Sequence, residues 1–175
     1  YAEYHCAGLL AQDTTLDYAL LRIADTSTDG IPLAEWGLLR VVRAQPTLVQ
    51  GARLNVIQHP GGRTKQIALR TNFYIGSIGS GLFHYLSDTE EGSSGSPVLN
   101  DDWEVVGLHH AWDYYRNHYK GLPFRFNNLG VQYATSPQFM NDRVSTINEG
   151  IPIHTILHHL PIPLREEIEH AQGWA

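Results

Sequence analysis

The sequence holds one cysteine, Cys6, among 175 residues. An internal disulfide is thereby excluded, and with it the small secreted scaffolds that substitute crosslinks for a core. Long apolar runs are missing as well. No stretch approaches the ~20 residues of a membrane-spanning helix, and the chain opens at Tyr1 with no basic-then-apolar leader. Positive charge is scarce: 12 Lys and Arg stand against 18 Asp and Glu, a formal net charge of −6. A surface of that balance does not track phosphates, so neither nucleic acid nor a membrane is an expected partner. Repeats of solenoid period and linkers of disordered composition are absent too.

What is present can build a core. At 42% hydrophobic and 17% charged, the chain is long enough to bury one and too apolar for disorder. Its apolar stretches are short and rich in β-branched and aromatic residues: Tyr18 to Ile23, Leu38 to Val42, Arg53 to Ile57, Gln66 to Leu69, Asn72 to Ile75, Leu82 to Leu86, Pro97 to Leu99 and Val105 to His109. These are strand lengths. Asp29-Gly30, Pro60-Gly61-Gly62, Gly76 through Gly81 and Asn100-Asp101-Asp102 supply turns between them. The pattern predicts an antiparallel all-β body. Near the end, Ile153, Ile156, Leu157 and Leu160 follow helical spacing behind Pro152, predicting a C-terminal helix, with a further turn or two over Leu164 to Ala171.

The chemistry concentrates in Asp88-Thr89-Glu90-Glu91-Gly92-Ser93-Ser94-Gly95-Ser96-Pro97-Val98-Leu99. Glycines on both sides of a serine permit a tight loop whose N–H groups converge. A serine held there can attack a carbonyl while those donors take up the oxyanion. The same composition also makes flexible linkers. Framing decides between the two, because Pro97-Val98-Leu99 follows at once as a strand and Trp103 to His109 returns as its hairpin partner.

Gly92-Ser93-Ser94-Gly95-Ser96-Pro97 resembles the Gly-x-Ser-Gly-[Gly/Ser]-Pro signature of chymotrypsin-like (trypsin-fold) serine peptidases. Leu16-Asp17-Tyr18-Ala19-Leu20-Leu21-Arg22-Ile23 is similar to the strand bearing that family's triad aspartate, and Val56-Ile57-Gln58-His59-Pro60-Gly61-Gly62 resembles the early second barrel of bacterial cytosolic members. The likeness runs from about residue 14 to residue 111 and returns at Asn148-Glu149-Gly150-Ile151.

This resemblance implies two antiparallel six-stranded β-barrels and a C-terminal helix. Residues 1–45 would be the last part of an incomplete first barrel with the triad acid, 46–150 the second barrel with the nucleophile, and 151–175 the helix. It implies a serine endopeptidase acting through an acyl-enzyme, with no cofactor and no metal. Ser94 takes the nucleophile's place, Asp17 that of the acid orienting the imidazole, and the N–H groups of Gly92 and Ser94 that of the oxyanion hole. Ser93 replaces the aspartate that trypsin-like zymogens pair with a newly cut N-terminus, so that ion pair cannot form.

The pocket has two pointers. Asp88 matches the acid of a trypsin-like pocket and favours Arg or Lys; His109 matches the pocket histidine of glutamyl endopeptidases and favours Glu. The first is the leaning here, since a buried carboxylate is relieved by a cation.

The family's chain order is His, Asp, Ser. Only eleven residues separate His5 from Asp17, too few for the intervening strands, and every other histidine follows Asp17. The catalytic histidine is therefore expected upstream of residue 1, on a preceding segment or an associated chain. The alternative is a catalytically inactive trypsin-fold module that binds peptides. Partners are then a protein or peptide substrate and the segment supplying the histidine; the expected location is a bacterial cytoplasm rather than the exterior. His154, His158 and His159 have no third ligand placed by spacing and are read as helix surface, not a metal site. Trp103, Trp112, Tyr114, Tyr115 and Tyr119 are read as core and loop packing residues rather than a nucleotide-stacking surface.

Overall fold

The structure, a computed structural model, describes residues 2–44, 47–78, 81–114 and 146–174. Tyr115 and Tyr119 lie outside them. The chain forms two compact units, one of Val41–Thr155 and one of Tyr1–Arg40 with Ile156–Ala175.

The Val41–Thr155 unit is a seven-stranded antiparallel sheet. Its strands are β3 (Asn55–Gln58), β4 (Gln66–Ala68), β5 (Tyr74–Ile78), β6 (Leu82–Tyr85), β7 (Pro97–Leu99), β8 (Val105–Tyr114) and β9 (Thr146–Pro152), in the spatial order β4-β3-β7-β8-β9-β6-β5. Leu54, Val56, Phe83, Tyr85, Val98 and Val106 bury their side chains in one core. Phe83 sits so close to the backbones of β8 and β9 that a Cβ on Gly107 or Gly150 would overlap its ring. Those two strands can pass the ring only as glycine.

The other unit carries β1 (Cys6–Asp13) and β2 (Tyr18–Ile23), an antiparallel hairpin whose closing pair is Asp13 and Tyr18. Asp13 makes the turn itself: its Oδ1 accepts the N–H groups of Thr15 at 2.9 Å and Leu16 at 2.6 Å. Two helices follow, α1 (Ile153–His159), within which the two units divide, and α2 (Ile162–Ala171). Pro161 separates them, because proline has no N–H to continue α1 and disfavours helical geometry in the residue before it. Arg22 pairs with Glu167 of α2 at 2.6 and 2.9 Å, in solvent. Tyr18, Ile156, Leu157 and Leu160 are buried, whereas Leu9, Leu21, Ile31, Trp36, Leu38 and Leu39 are exposed. No helix among the described residues is long and apolar enough to cross a membrane.

The all-β expectation therefore holds for the body, with two helices where one and a fragment were expected. Neither sheet is a closed barrel. Residues 2–44 contribute two strands, and among the described residues the seven-stranded ladder ends at β4 and β5. Leu38 to Val42, expected as a strand, makes a single parallel bridge from Val41 to Val105. The stretch before β3 bonds instead to the start of β5, with Leu54 N–H donating to Asn72 O and Tyr74 N–H to Ala52 O, each at 2.8 Å.

Candidate active site

The loop between β6 and β7 is shaped by its own backbone. Ser93 N–H donates to Glu90 O and Ser96 N–H to Ser93 O, both at 3.1 Å, so two turns follow one another. Gly61 N–H, from the Pro60-Gly61-Gly62 turn, braces the near side by donating to Glu91 O at 2.7 Å. On the far side β8 clamps the loop: Gly95 N–H donates to His109 O at 2.9 Å and His109 N–H to Ser96 O at 2.8 Å. Gly92 has φ +92°, and a Cβ there would lie 3.2 Å from both Gly62 N and His59 O. Dihedral and space together demand glycine.

Within this frame adjacent serines part company. Ser93 is fully buried and its Oγ accepts the Glu90 N–H at 3.3 Å, a structural hydroxyl that closes the first turn. Ser94 is exposed, and its Oγ makes one long bond, 3.5 Å, to the His110 carbonyl. The N–H groups of Gly92 and Ser94 donate to no acceptor among the described residues, unlike those of Ser93, Gly95 and Ser96. The loop thus carries an accessible hydroxyl and, among the described residues, two backbone donors with no acceptor.

Beside the loop, a cavity of about 210 Å³ is lined by Ser87, Asp88, Thr89, Glu90, Trp112 and Asn148, among others. Two buried amides fix its wall. Asn148 Nδ2 donates to Ser87 O at 2.9 Å, and Gln58 Nε2 to Asp88 O at 2.7 Å. The Thr89 hydroxyl donates to Asn148 Oδ1 at 2.5 Å. The Asp88 side chain is exposed, so the desolvation cost expected of it does not act here. Glu90 is paired with Arg63 at 2.8 and 2.9 Å.

His109 does not line that cavity. It is 3% exposed, with Nδ1 2.7 Å from the Tyr85 hydroxyl and the two rings edge to face. Burial, with a smaller push from His110, lowers its pKa to about 4, and burial raises that of Tyr85 well above the usual phenol range. The imidazole is neutral at pH 7.

Asp17 belongs to the other unit. It is the last residue of the turn between β1 and β2, at φ +47°, a left-handed position that aspartate tolerates better than most residues. The side chain is exposed. Its neighbour Tyr18 is 7% exposed and bonds through its hydroxyl to His159 Nδ1 at 2.9 Å, while His159 Nε2 lies 3.5 Å from Asp13 Oδ2. Sequence reasoning missed Tyr85, Asn148 and Asp13 and read His159 as helix surface; of the first three only Asn148, within the Asn148-Glu149-Gly150-Ile151 stretch, had a local signal. Among the described residues no three metal-ligating side chains gather.

Comparison with known proteins agrees with the loop. Over 104 residues the chain is 38% identical to the uncharacterized protein y4fB of Sinorhizobium fredii, covering 55% of this chain and 16% of that protein. Over 114 residues it is 36% identical to a secreted RxLR effector protein of Plasmopara viticola, covering 60% of this chain and 27% of the other. The chain thus spans well under a third of either relative. Residues 3–108, which include the Ser94 loop, the β1–β2 hairpin and the first part of β8, match the family described as the trypsin-like peptidase domain, and the chain belongs to that family.

Proposed function

We propose that the chain is the nucleophile-bearing part of a serine endopeptidase. The observation that carries this reading is the exposed Ser94 hydroxyl on the same loop as the N–H groups of Gly92 and Ser94, which donate to no acceptor among the described residues. In the reaction Ser94 Oγ attacks the scissile carbonyl, the two N–H groups take the developing oxyanion, and water later hydrolyses the acyl-enzyme. Asp17 orients the imidazole that accepts the serine proton. That imidazole comes from a segment before residue 1 or from an associated chain, as the family's chain order requires.

Two structural expectations go with this reading. The seven-stranded sheet corresponds to the family's second barrel; the bonds Leu54 N–H to Asn72 O and Tyr74 N–H to Ala52 O join the stretch before β3 to the start of β5 without closing it. The β1–β2 hairpin is the end of the first barrel, and its exposed Leu9 and Leu21 await further strands. Two-stranded sheets are marginal without such cover.

For the residue preceding the cut, the cavity beside the loop favours Arg or Lys. It is lined by Asp88, whose carboxylate is exposed, and by Trp112, whereas Glu90 is paired with Arg63 and His109 lies outside the lining. A second reading, a non-catalytic peptide-binding module, has its own support: the Ser94 hydroxyl meets a carbonyl, and His109 is engaged by Tyr85. A fluorophosphonate probe separates the two. Covalent labelling of the wild type but not of Ser94→Ala supports the peptidase; no labelling of full-length protein that also carries its upstream histidine supports the module. A peptide panel varied only at the residue before the cut then reads the pocket.

A further inference from the structure

We propose that His159 is a positioning residue for Asp17, an inference that rests on Asp17 being the orienting acid. The turn carrying Asp17 is bounded by Asp13 and Tyr18, the last paired residues of β1 and β2. One imidazole reaches both. His159 Nδ1 is 2.9 Å from the Tyr18 hydroxyl, and Nε2 is 3.5 Å from Asp13 Oδ2. The two ring contacts lie on opposite sides of the loop of Thr14, Thr15, Leu16 and Asp17, so the ring ties its two ends together. Asp13 uses its other oxygen on the Thr15 and Leu16 N–H groups, which makes loop and ring share one carboxylate.

The arrangement has no evident purpose in burial. His159 is nearly half exposed, and a hairpin with an Asx turn needs no third support to close. What it constrains is direction. Asp17 sits at φ +47°, a conformation an L-residue leaves readily unless both neighbours are held. Tyr18, buried and bonded to His159, holds the following residue, and Asp13 holds the preceding turn through Leu16. Small displacements of an orienting acid are expensive in rate, as much as ~100-fold for about 1 Å.

The test uses the full-length protein with its histidine-bearing segment, and a double-mutant cycle on the rate of Ser94 labelling by fluorophosphonate. His159→Phe should slow labelling roughly 10- to 100-fold, and His159→Gln, whose amide can still donate to one partner and accept from the other, should recover most of it. In an Asp17→Asn background His159→Phe should add nothing. Amide exchange at Thr15 and Leu16 should quicken in His159→Phe while Gly95 and His109 stay as they are. An equal loss in both backgrounds, or unchanged exchange at Thr15 and Leu16, overturns the positioning role. If Asp17→Asn labels as fast as wild type, the triad assignment fails, and this role fails with it; the wild-type arms alone reveal which has failed.

Discussion

Lowering the pH from 7 to 4 should remove about 3 kcal/mol of stability from the Val41–Thr155 unit through His109 alone. The folded pKa is about 4 against an ordinary 6.5, a depression caused chiefly by burial. At ~1.4 kcal/mol per pKa unit that gap is worth about 3 kcal/mol. Above pH 6.5 the imidazole is neutral in both states, and the stabilisation is wholly present. Between 6.5 and 4 the unfolded chain takes up a proton that the folded one refuses, so stability falls with the pH. Below 4 both states are protonated and the term is gone. Carboxylates titrate over the same range, so the measurement is a difference: urea unfolding of wild type and His109→Gln at several pH values from 7 to 4. The wild type should lose about 3 kcal/mol more than the variant over that span. Parallel curves would show that His109 is not held neutral by its surroundings, and that its pairing with Tyr85 is not buried in solution.

Other consequences are as direct. Gly92→Ala places a Cβ at φ +92° and 3.2 Å from Gly62 N and His59 O, and should cost about 1–3 kcal/mol while suppressing Ser94 labelling, read by thermal melts beside probe kinetics. Gly150→Ala drives a methyl into the Phe83 ring and should destabilise by about 1–3 kcal/mol; Phe83→Leu in the same chain should restore part of that loss, whereas an additive loss would mean the ring is not the obstacle. Leu54→Ala, at a fully buried core position, should cost about 2–5 kcal/mol in denaturant unfolding. Asp88→Asn should lower cleavage after Arg and Lys relative to neutral residues in a peptide panel, and an unchanged preference would remove Asp88 from the pocket.

The sequence was most legible where local chemistry and tertiary role coincide. Tyr18–Ile23 and Pro97–Leu99 are strands at the boundaries their composition indicates, because turn residues frame each on both sides. The Ser94 loop was legible for the same reason: its glycines answer a backbone demand that Gly92 meets at φ +92°. Leu38 to Val42 had the composition but forms no strand: Val41 bridges Val105, and Val42 N–H donates to Val105 O at 3.2 Å. Cys6–Asp13 shows the reverse, since Ala7, Gly8 and Ala11 carry little strand preference and pairing with β2 makes the strand. Thr146–Pro152 was noticed for its likeness but not as a strand, because Asn148 and Glu149 look like surface residues. They are covered because Thr89 and His84 stand opposite to bond them.

Histidines show most clearly where reading by residue type stops. His109 was weighed as a substrate-pocket histidine favouring Glu and His159 as helix surface, and in both the deciding fact is a tyrosine hydroxyl far away in the chain. Tyr85 precedes His109 by 24 residues, and Tyr18 precedes His159 by 141. An imidazole's charge at pH 7 depends on burial and on whether its partner is a hydroxyl or a carboxylate, and neither is a local property. The same bond to a tyrosine therefore has opposite consequences. In His109 it accompanies nearly complete burial, and the ring becomes part of the wall behind the nucleophile loop. In His159 the ring stays half in solvent with a carboxylate on its other side, and it ties together the two ends of a turn.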